Sequence, residues 1–435
     1  MFIVAIFAPL MAFFFLSLAF YRLPMQLNLQ YGLTTTVGAP FVRKAVLVCV
    51  VWFGVAIGIV LWPLRRAATP RAWTPSMMWM ALVGFSVVGG MLSLAHSLVR
   101  FPSSLEEVVN QLAFAPVIAV VLGVQQFGSL RRRGAPGTAV GLVWLLILFD
   151  LGVTLVVPLG LAKVGPAAVG AIAILYGVGV VDGSWRRPVL ALLLVVPLMV
   201  VALPLKDALR QDLYGGHAFL RGGRAILAPL RSSLQATARQ IREFDPQAAG
   251  LRAHQTTGVP QVALFIVGQA LSRINRLADL AYVTELTPAA VPYAGGTTYR
   301  PLLTKLVPRA LWRNGPQEVA GQWYGHRYKF LDPEDTATSV NLPVVTEGWI
   351  SGGWIGVIGS AALLGIVLRV IWAGWLGENS APGNVMLGMV VVASATDLES
   401  NLSLILGGVI HGFLLYWLVD ICIRRIGARL SPPAA

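Results

Sequence analysis

Residues 259–286 read VPQVALFIVGQALSRINRLADLAYVTEL, and whether this stretch crosses a membrane decides the topology of the whole chain. Its apolar run stops at Leu271, and Arg273, Asn275, Arg276 and Asp279 follow at once. Each charge at the centre of a bilayer costs about 2.5–3.5 kcal/mol on insertion scales. The segment is therefore expected to dip into or lie along the interface without crossing.

The chain around it is built for lipid. Of its 435 residues 56% are hydrophobic and 12% charged, against about 25% charged in an ordinary soluble domain. So little polar surface cannot wrap a soluble core of this size, and the expected fold is an all-α integral membrane protein. Apolar runs of about 17–25 residues, the length that spans a bilayer, fall near 3–20, 44–63, 76–97, 111–130, 137–161, 166–181, 188–205, 350–375, 383–397 and 402–423. They make about ten transmembrane helices, of which 166–181 and 383–397 are short. The expected divisions are 1–205 with seven membrane helices, 206–349 as a large, partly helical non-cytoplasmic loop, and 350–435 with three helices and a tail. Residues 2–20 lack a basic leader and a small-residue cleavage site, so a membrane helix is expected there rather than a cleaved signal.

Charge bias tests this topology. With ten crossings and the N-terminus inside, segments 64–75, 131–136, 182–187, 376–382 and 424–435 are cytoplasmic and carry eleven arginines. The opposite short loops carry five cations: Arg22, Arg43, Lys44, Arg100 and Lys163. A crossing at 259–286 would send Arg65-Arg66 and Arg131-Arg132-Arg133 to the wrong side of the positive-inside rule. Ten crossings place 206–349, with 16 Lys+Arg and 11 Asp+Glu, away from the cytosol.

The net charge is +14, and only five of the 33 basic residues are lysine. Topology explains part of this surplus. Arginine also grips phosphate through a planar fork, which fits a lipid phosphate or diphosphate. Cys49 and Cys422 lie in apolar runs and imply neither a disulfide framework nor a metal site, and no cofactor or metal is expected.

An enzyme outside the cytosol meets no ATP or sugar nucleotide, so its substrate must carry its own activation. Within about thirty residues Arg300, Arg309, Arg313 and Arg327 alternate with Tyr299, Trp312, Trp323, Tyr324 and Tyr328. Cations would neutralise a diphosphate, while aromatic faces stack on sugar rings; the plainer alternative is interfacial anchoring. Arg273 and Arg276, nearly one turn apart, would face the same way, with Asp279 as a local ion partner. For a general base, His326 titrates near neutrality unaided. Glu347 precedes a membrane helix, where desolvation favours its protonated form, or else it is a charge partner for a helix N-terminus. Asp397 and Glu399 lie on the same side. Asp150, His96 and His411 sit in apolar runs without identifiable partners, and an amphipathic helix is expected over about 227–243.

Gly295…Tyr299, Pro308-Arg309-x-x-Trp312…Pro316 and Pro343…Glu347 leading into Gly353-Trp354-Ile355-Gly356 resemble the O-antigen and exopolysaccharide repeat-unit polymerases, Wzy-like membrane glycosyltransferases of the GT-C type. The turn Asp182-Gly183-Ser184-Trp185-Arg186 is similar to one often seen there, and the resemblance covers roughly 180–410. It implies a metal-independent enzyme of the bacterial inner membrane, with both termini cytoplasmic and its active site facing the periplasm. The growing glycan on one undecaprenyl diphosphate would pass to the sugar end of another lipid-linked repeat. Arg309 would hold the diphosphate, helped by Arg300, Arg273 and Arg276, with Arg313, Arg327, Tyr299, Trp312 and Tyr328 in the substrate site. Expected partners are the polyprenyl-diphosphate-linked glycan donor and acceptor and the bilayer, with a chain-length regulator as a further candidate and no nucleic acid.

Three rivals remain open at this point. A ligase moving glycan onto lipid A core would use a similar site. A lipid-linked oligosaccharide transporter or flippase predicts inverted repeats, broken helices and midplane charges; no repeat is visible, and charge concentrates in one external loop. A non-catalytic assembly subunit would leave the arginine-aromatic stretch without a purpose.

Overall fold

The computed structural model describes residues 2–20, 25–28, 34–63, 68–99, 101–157, 164–184, 186, 235, 238–245, 260–265, 276–305, 319–336, 338–377, 379–397 and 400–430. Helix α1 (Phe2–Phe20) is followed by an antiparallel hairpin of β1 (Met25–Asn28) and β2 (Thr34–Val37). The hairpin is the one departure from the expected all-α fold among the described residues. Then come α2 (Ala39–Leu61), α3 (Pro75–His96), α4 (Leu105–Arg132), α5 (Gly137–Val156) and α6 (Gly165–Asp182). Three shorter helices, α7 (Arg276–Leu286), α8 (Arg300–Lys305) and α9 (Ala320–Arg327), precede α10 (Val344–Leu376), α11 (Pro382–Ala395) and α12 (Leu402–Arg429).

Among the described residues, seven helices are long and apolar enough to cross a membrane: α2 to α6, α10 and α12. The apolar helices Phe2–Ala12 and Pro382–Ala395 are shorter, and the expected span at 188–205 lies outside the described residues. Bulky apolar side chains such as Leu145, Leu148, Ile366 and Leu418 are more than half exposed on the outer faces. A belt of that kind has no soluble explanation, and lipid is its natural cover. The chain is a membrane protein.

Contacts fix which helix ends lie together. Arg71 N–H donates to Asn384 Oδ1 at 2.6 Å, and the Arg71 guanidinium reaches Asp420 at 2.8 Å. Trp73 and Arg424 close on the same carboxylate at 2.8 and 3.0 Å. Phe2 stacks on Trp372, so both ends of the described chain, Phe2 and Leu430, lie at this basic end. At the opposite end Lys44 donates to the Thr284 carbonyl and lies over the Trp349 ring. Trp52 bonds to Ser360, and Gly365 abuts the Ala56 carbonyl. Residue numbers thus rise together along α2 and α10, which run parallel.

Helix α11 is buried along almost its entire length. It is apolar on all sides because it has helices on all sides. Helix α7 is explained in the same way. Leu277, Ala278, Leu280, Ala281, Tyr282, Val283 and Thr284 are all buried, against α1, α2 and α10. Its eleven residues extend about 16 Å, half of a bilayer core, so α7 is a packed helix.

Helix α10 is broken, where an unbroken span from about residue 350 was expected. Gly353 has φ +58° and ψ −132°, a conformation open to glycine and strained for other residues. Its missing side chain also makes room for Tyr293, whose hydroxyl would lie 2.7 Å from a Cβ there. The piece 344–351 folds back on the longer arm, bringing Gly348 against Gly356, Val357 and Ser360. Small residues at 348, 351, 352, 353, 356 and 360 allow that approach, as they do between membrane helices generally. A Cβ at Gly356 would run into the Gly348 carbonyl oxygen, whereas one at Gly359 meets nothing. Gly356→Ala is therefore expected to destabilise the protein by about 1–3 kcal/mol. Thermal unfolding in detergent would show a lowered midpoint for this variant and none for Gly359→Ala.

Candidate functional site

Of the site residues singled out in the sequence, the described ones Arg276, Tyr299, Arg300, His326, Arg327, Tyr328 and Glu347 fall in the segments 276–305, 319–336 and 338–353, at the end opposite the basic one. They form two groups. The first surrounds the reversed piece of α10. Glu347 is fully buried, and its carboxylate accepts from the backbone N–H of Leu402 at 2.7 Å. Asn401 caps the same helix start, accepting from Leu404 N–H at 3.0 Å. A helix start buried at a membrane surface must find acceptors for its free N–H groups, and these two side chains provide them. Glu347 is therefore the charge partner of a helix N-terminus, but of α12 rather than of its own helix.

Tyr299 lies beside it on the short 3-10 turn Thr297–Tyr299. The preceding Thr298 hydroxyl meets Ser351 Oγ at 2.8 Å, and Ser351 also donates to the Glu347 carbonyl. The Tyr299 phenol oxygen is buried and makes no hydrogen bond of standard geometry. Burial first, then the negative charge of Glu347, pushes its pKa up to about 12, against the opposing pull of the Ser351 and Ser360 hydroxyls. At neutral pH it remains a donor. Arg300, next in sequence, is exposed at the start of α8. The arrangement sets a protonated phenol beside a buried carboxylate, with Arg300 the next residue of the chain.

The second group is centred on α9. Arg327 donates to the Pro292 carbonyl at 2.8 Å, and its guanidinium lies 5.0 Å from the Trp323 ring centroid. His326, half-exposed, is its neighbour in the last turn. Tyr328 is fully buried, with its hydroxyl 2.6 Å from that of Thr287, and Trp349 Nε1 donates to the Thr287 carbonyl. Burial raises the pKa of Tyr328 and drives that of the equally buried Tyr324 well up. Neither phenol faces a substrate, so the expectation that Tyr328 binds one is corrected: it ties α7 to α9. Arg276 pairs with Asp279 at 2.9 Å, the local ion partner foreseen for it. Arg273, Arg309, Trp312 and Arg313 lie outside the described residues, as does Glu399; Asp397 is exposed at the end of α11.

Sequence reasoning passed over Ser351, Thr298 and Lys44. The spacing of small residues from 348 to 360 carried a signal for the first. It also undercounted charge within the spans. Glu107 and His411 are hydrogen-bonded between α4 and α12, Asp150 bonds to Ser86, and Asp420 is buried among two arginines and Trp73. Arg424, four residues after Asp420, was the readable signal for the last.

Replacing Glu347 by glutamine removes the charge next to Tyr299. The phenol in Glu347→Gln is expected to ionise at lower pH than in the wild type, while still above the ordinary value of about 10 because burial remains. An ultraviolet tyrosinate titration compared with that of Tyr299→Phe isolates this group, and an unchanged curve would contradict the pairing.

The chain matches no protein-family model, no curated protein and no solved structure, so no relative supplies a role for any of these residues.

Proposed function

We propose that the protein is a membrane glycosyltransferase that polymerises polyprenyl-diphosphate-linked repeat units into a surface polysaccharide. The observation that carries this reading is the buried phenol of Tyr299, held beside the Glu347 carboxylate and followed in the chain by the exposed Arg300, at one end of the helical bundle. A transferase for lipid-linked glycans needs this combination. Cations neutralise the departing diphosphate, a fixed donor orients the sugar, and the lipid tail stays in the bilayer. Arg300, Arg327 and, from the sequence, Arg309 with Arg273 and Arg313 would supply the cations. Trp323, already stacked on Arg327, and Trp312 would offer ring faces. With Glu347 engaged at the start of α12, His326 is the better candidate to take the acceptor proton. The basic end would face the cytosol, in keeping with charge bias, and the 276–353 layer would face the periplasm.

A second reading has its own support. The broken α10 and the ionisable groups inside the spans are features that a transporter of lipid-linked sugars would carry.

One assay separates the two. Purified protein is incubated in detergent with a lipid-linked repeat unit. A ladder of longer glycans, lost in Arg309→Ala and reduced at least tenfold in Tyr299→Phe, a loss of about 1.4 kcal/mol in transition-state stabilisation, supports polymerisation. Single-step transfer to lipid A core would point to a ligase. Movement across vesicles without new glycosidic bonds would contradict the transferase reading.

A further inference from the structure

Three polar groups lie in the bundle away from the 276–353 layer. Glu107 and His411 are hydrogen-bonded to each other, and Arg71–Asp420–Arg424 holds both signs of charge, so each group is accounted for. The third, Asp150 with Ser86 between α5 and α3, has no such balance.

Asp150 is fully buried, six residues before the end of α5, on the inward side of a helix whose Leu145 and Leu148 are exposed outward. Ser86 is also fully buried, and its Oγ lies 2.7 Å from Asp150 Oδ2 and 2.9 Å from the Leu82 carbonyl oxygen. A serine hydroxyl has one proton, and a carbonyl has none. Both contacts are hydrogen bonds only if Ser86 donates to Leu82 and Asp150 supplies a proton to Ser86. An ionised Asp150 would leave one of the two contacts as acceptor against acceptor.

Among the described residues no cation faces Asp150. The described part of α3 up to Gly90 has no ionisable side chain, and His96 is in its last turn. Helix α4 has Glu106 and Glu107 at one end and Arg131 and Arg132 at the other, the latter exposed. Helix α5 has Asp150 alone, and α6 has Tyr176, directed at Gly388, and Asp182 at its end. A carboxylate inside a membrane bundle without a facing cation is strongly disfavoured. In addition, Asp150 Oδ1 and Thr154 Oγ1, one turn apart, are buried without hydrogen-bond partners among the described residues.

We propose that Asp150 is an intramembrane proton-binding site, protonated in the fold described through the chain Asp150 Oδ2–H to Ser86 Oγ–H to the Leu82 carbonyl. Release of the proton leaves a carboxylate, and the Ser86 hydroxyl turns its hydrogen from Leu82 to Asp150. The Leu82 carbonyl then loses that bond next to the π-helical turn Phe85–Gly89, while Asp150 itself adjoins the π-turn Gly152–Val156. Wide turns of this kind mark places where a helix can readjust. Proton occupancy is thereby linked to the packing of α3 on α5. The site is independent of the chemistry proposed for the 276–353 layer.

Infrared spectroscopy of the full-length protein in lipid at neutral pH tests it. A protonated-carboxyl C=O band is expected in the wild type, sensitive to deuterium exchange and absent in Asp150→Asn. In Ser86→Ala the band should move to higher frequency, because its hydrogen bond is lost. Identical spectra for wild type and Asp150→Asn in that region would overturn the proposal. If Asp150→Asn fails to fold, Ser86→Ala decides alone: a shifted band supports the site, and an unmoved or missing one overturns it.

Discussion

The carboxylate of Glu347 meets the backbone amide of Leu402 at 2.7 Å, and one end of the bundle is organised by that contact. The first turn of α12 has N–H groups that the helix cannot satisfy itself, and a hydrogen bond to a charged partner contributes about 1.5–3 kcal/mol. Glu347 reaches Leu402 because the chain reverses at Gly352-Gly353. The reversal in turn requires glycine at positive φ and small residues where the two arms touch. Once the arms are closed, Ser351 faces Thr298, Tyr293 covers Gly353, and Tyr299 is held beside the buried carboxylate. The candidate site is thus an outgrowth of a helix-capping problem at the edge of the membrane.

The other end solves a different problem. Asp420 is fully buried, and its two oxygens are shared by Arg71, Trp73 and Arg424. Asn384 ties the same region together by donating to the Trp375 carbonyl and accepting from Arg71. Such a group adds less to stability than to specificity, because breaking it strands a charge. It fixes how α11 and α12 meet the segment before α3. Between the two polar ends, α11 fills the centre with apolar side chains.

Much of this was legible beforehand. Length and apolarity mark α2 to α6, α10 and α12, since a helix covered by lipid must be apolar for about twenty residues. The charges at Arg276 and Asp279 lie on a helix of eleven residues, Arg276–Leu286, shorter than a bilayer span. The break in α10 was not legible, because average apolarity is the same in a straight helix and in a helix folded back on itself. Glu347 was weighed both as a base and as a cap, and only its distance from Leu402 favours the cap. Tyr328 read as a sugar-stacking residue because a tyrosine in an aromatic loop looks the same whether it faces ligand or core. Asp150 stood without a partner because Ser86 is sixty-four residues away. The expected amphipathic helix at 227–243 falls mostly outside the described residues.

Sidedness tests the account most directly, since a lipid-diphosphate chemistry is reasonable only if the 276–353 layer faces away from the cytosol. Lys329 is exposed in that layer, Cys49 is buried, and Cys422 can be replaced by serine. A cysteine at position 329 should react with a membrane-impermeant thiol reagent added to intact cells whose outer membrane is permeabilised, and should be silent in inverted vesicles. Labelling in inverted vesicles alone would contradict the account.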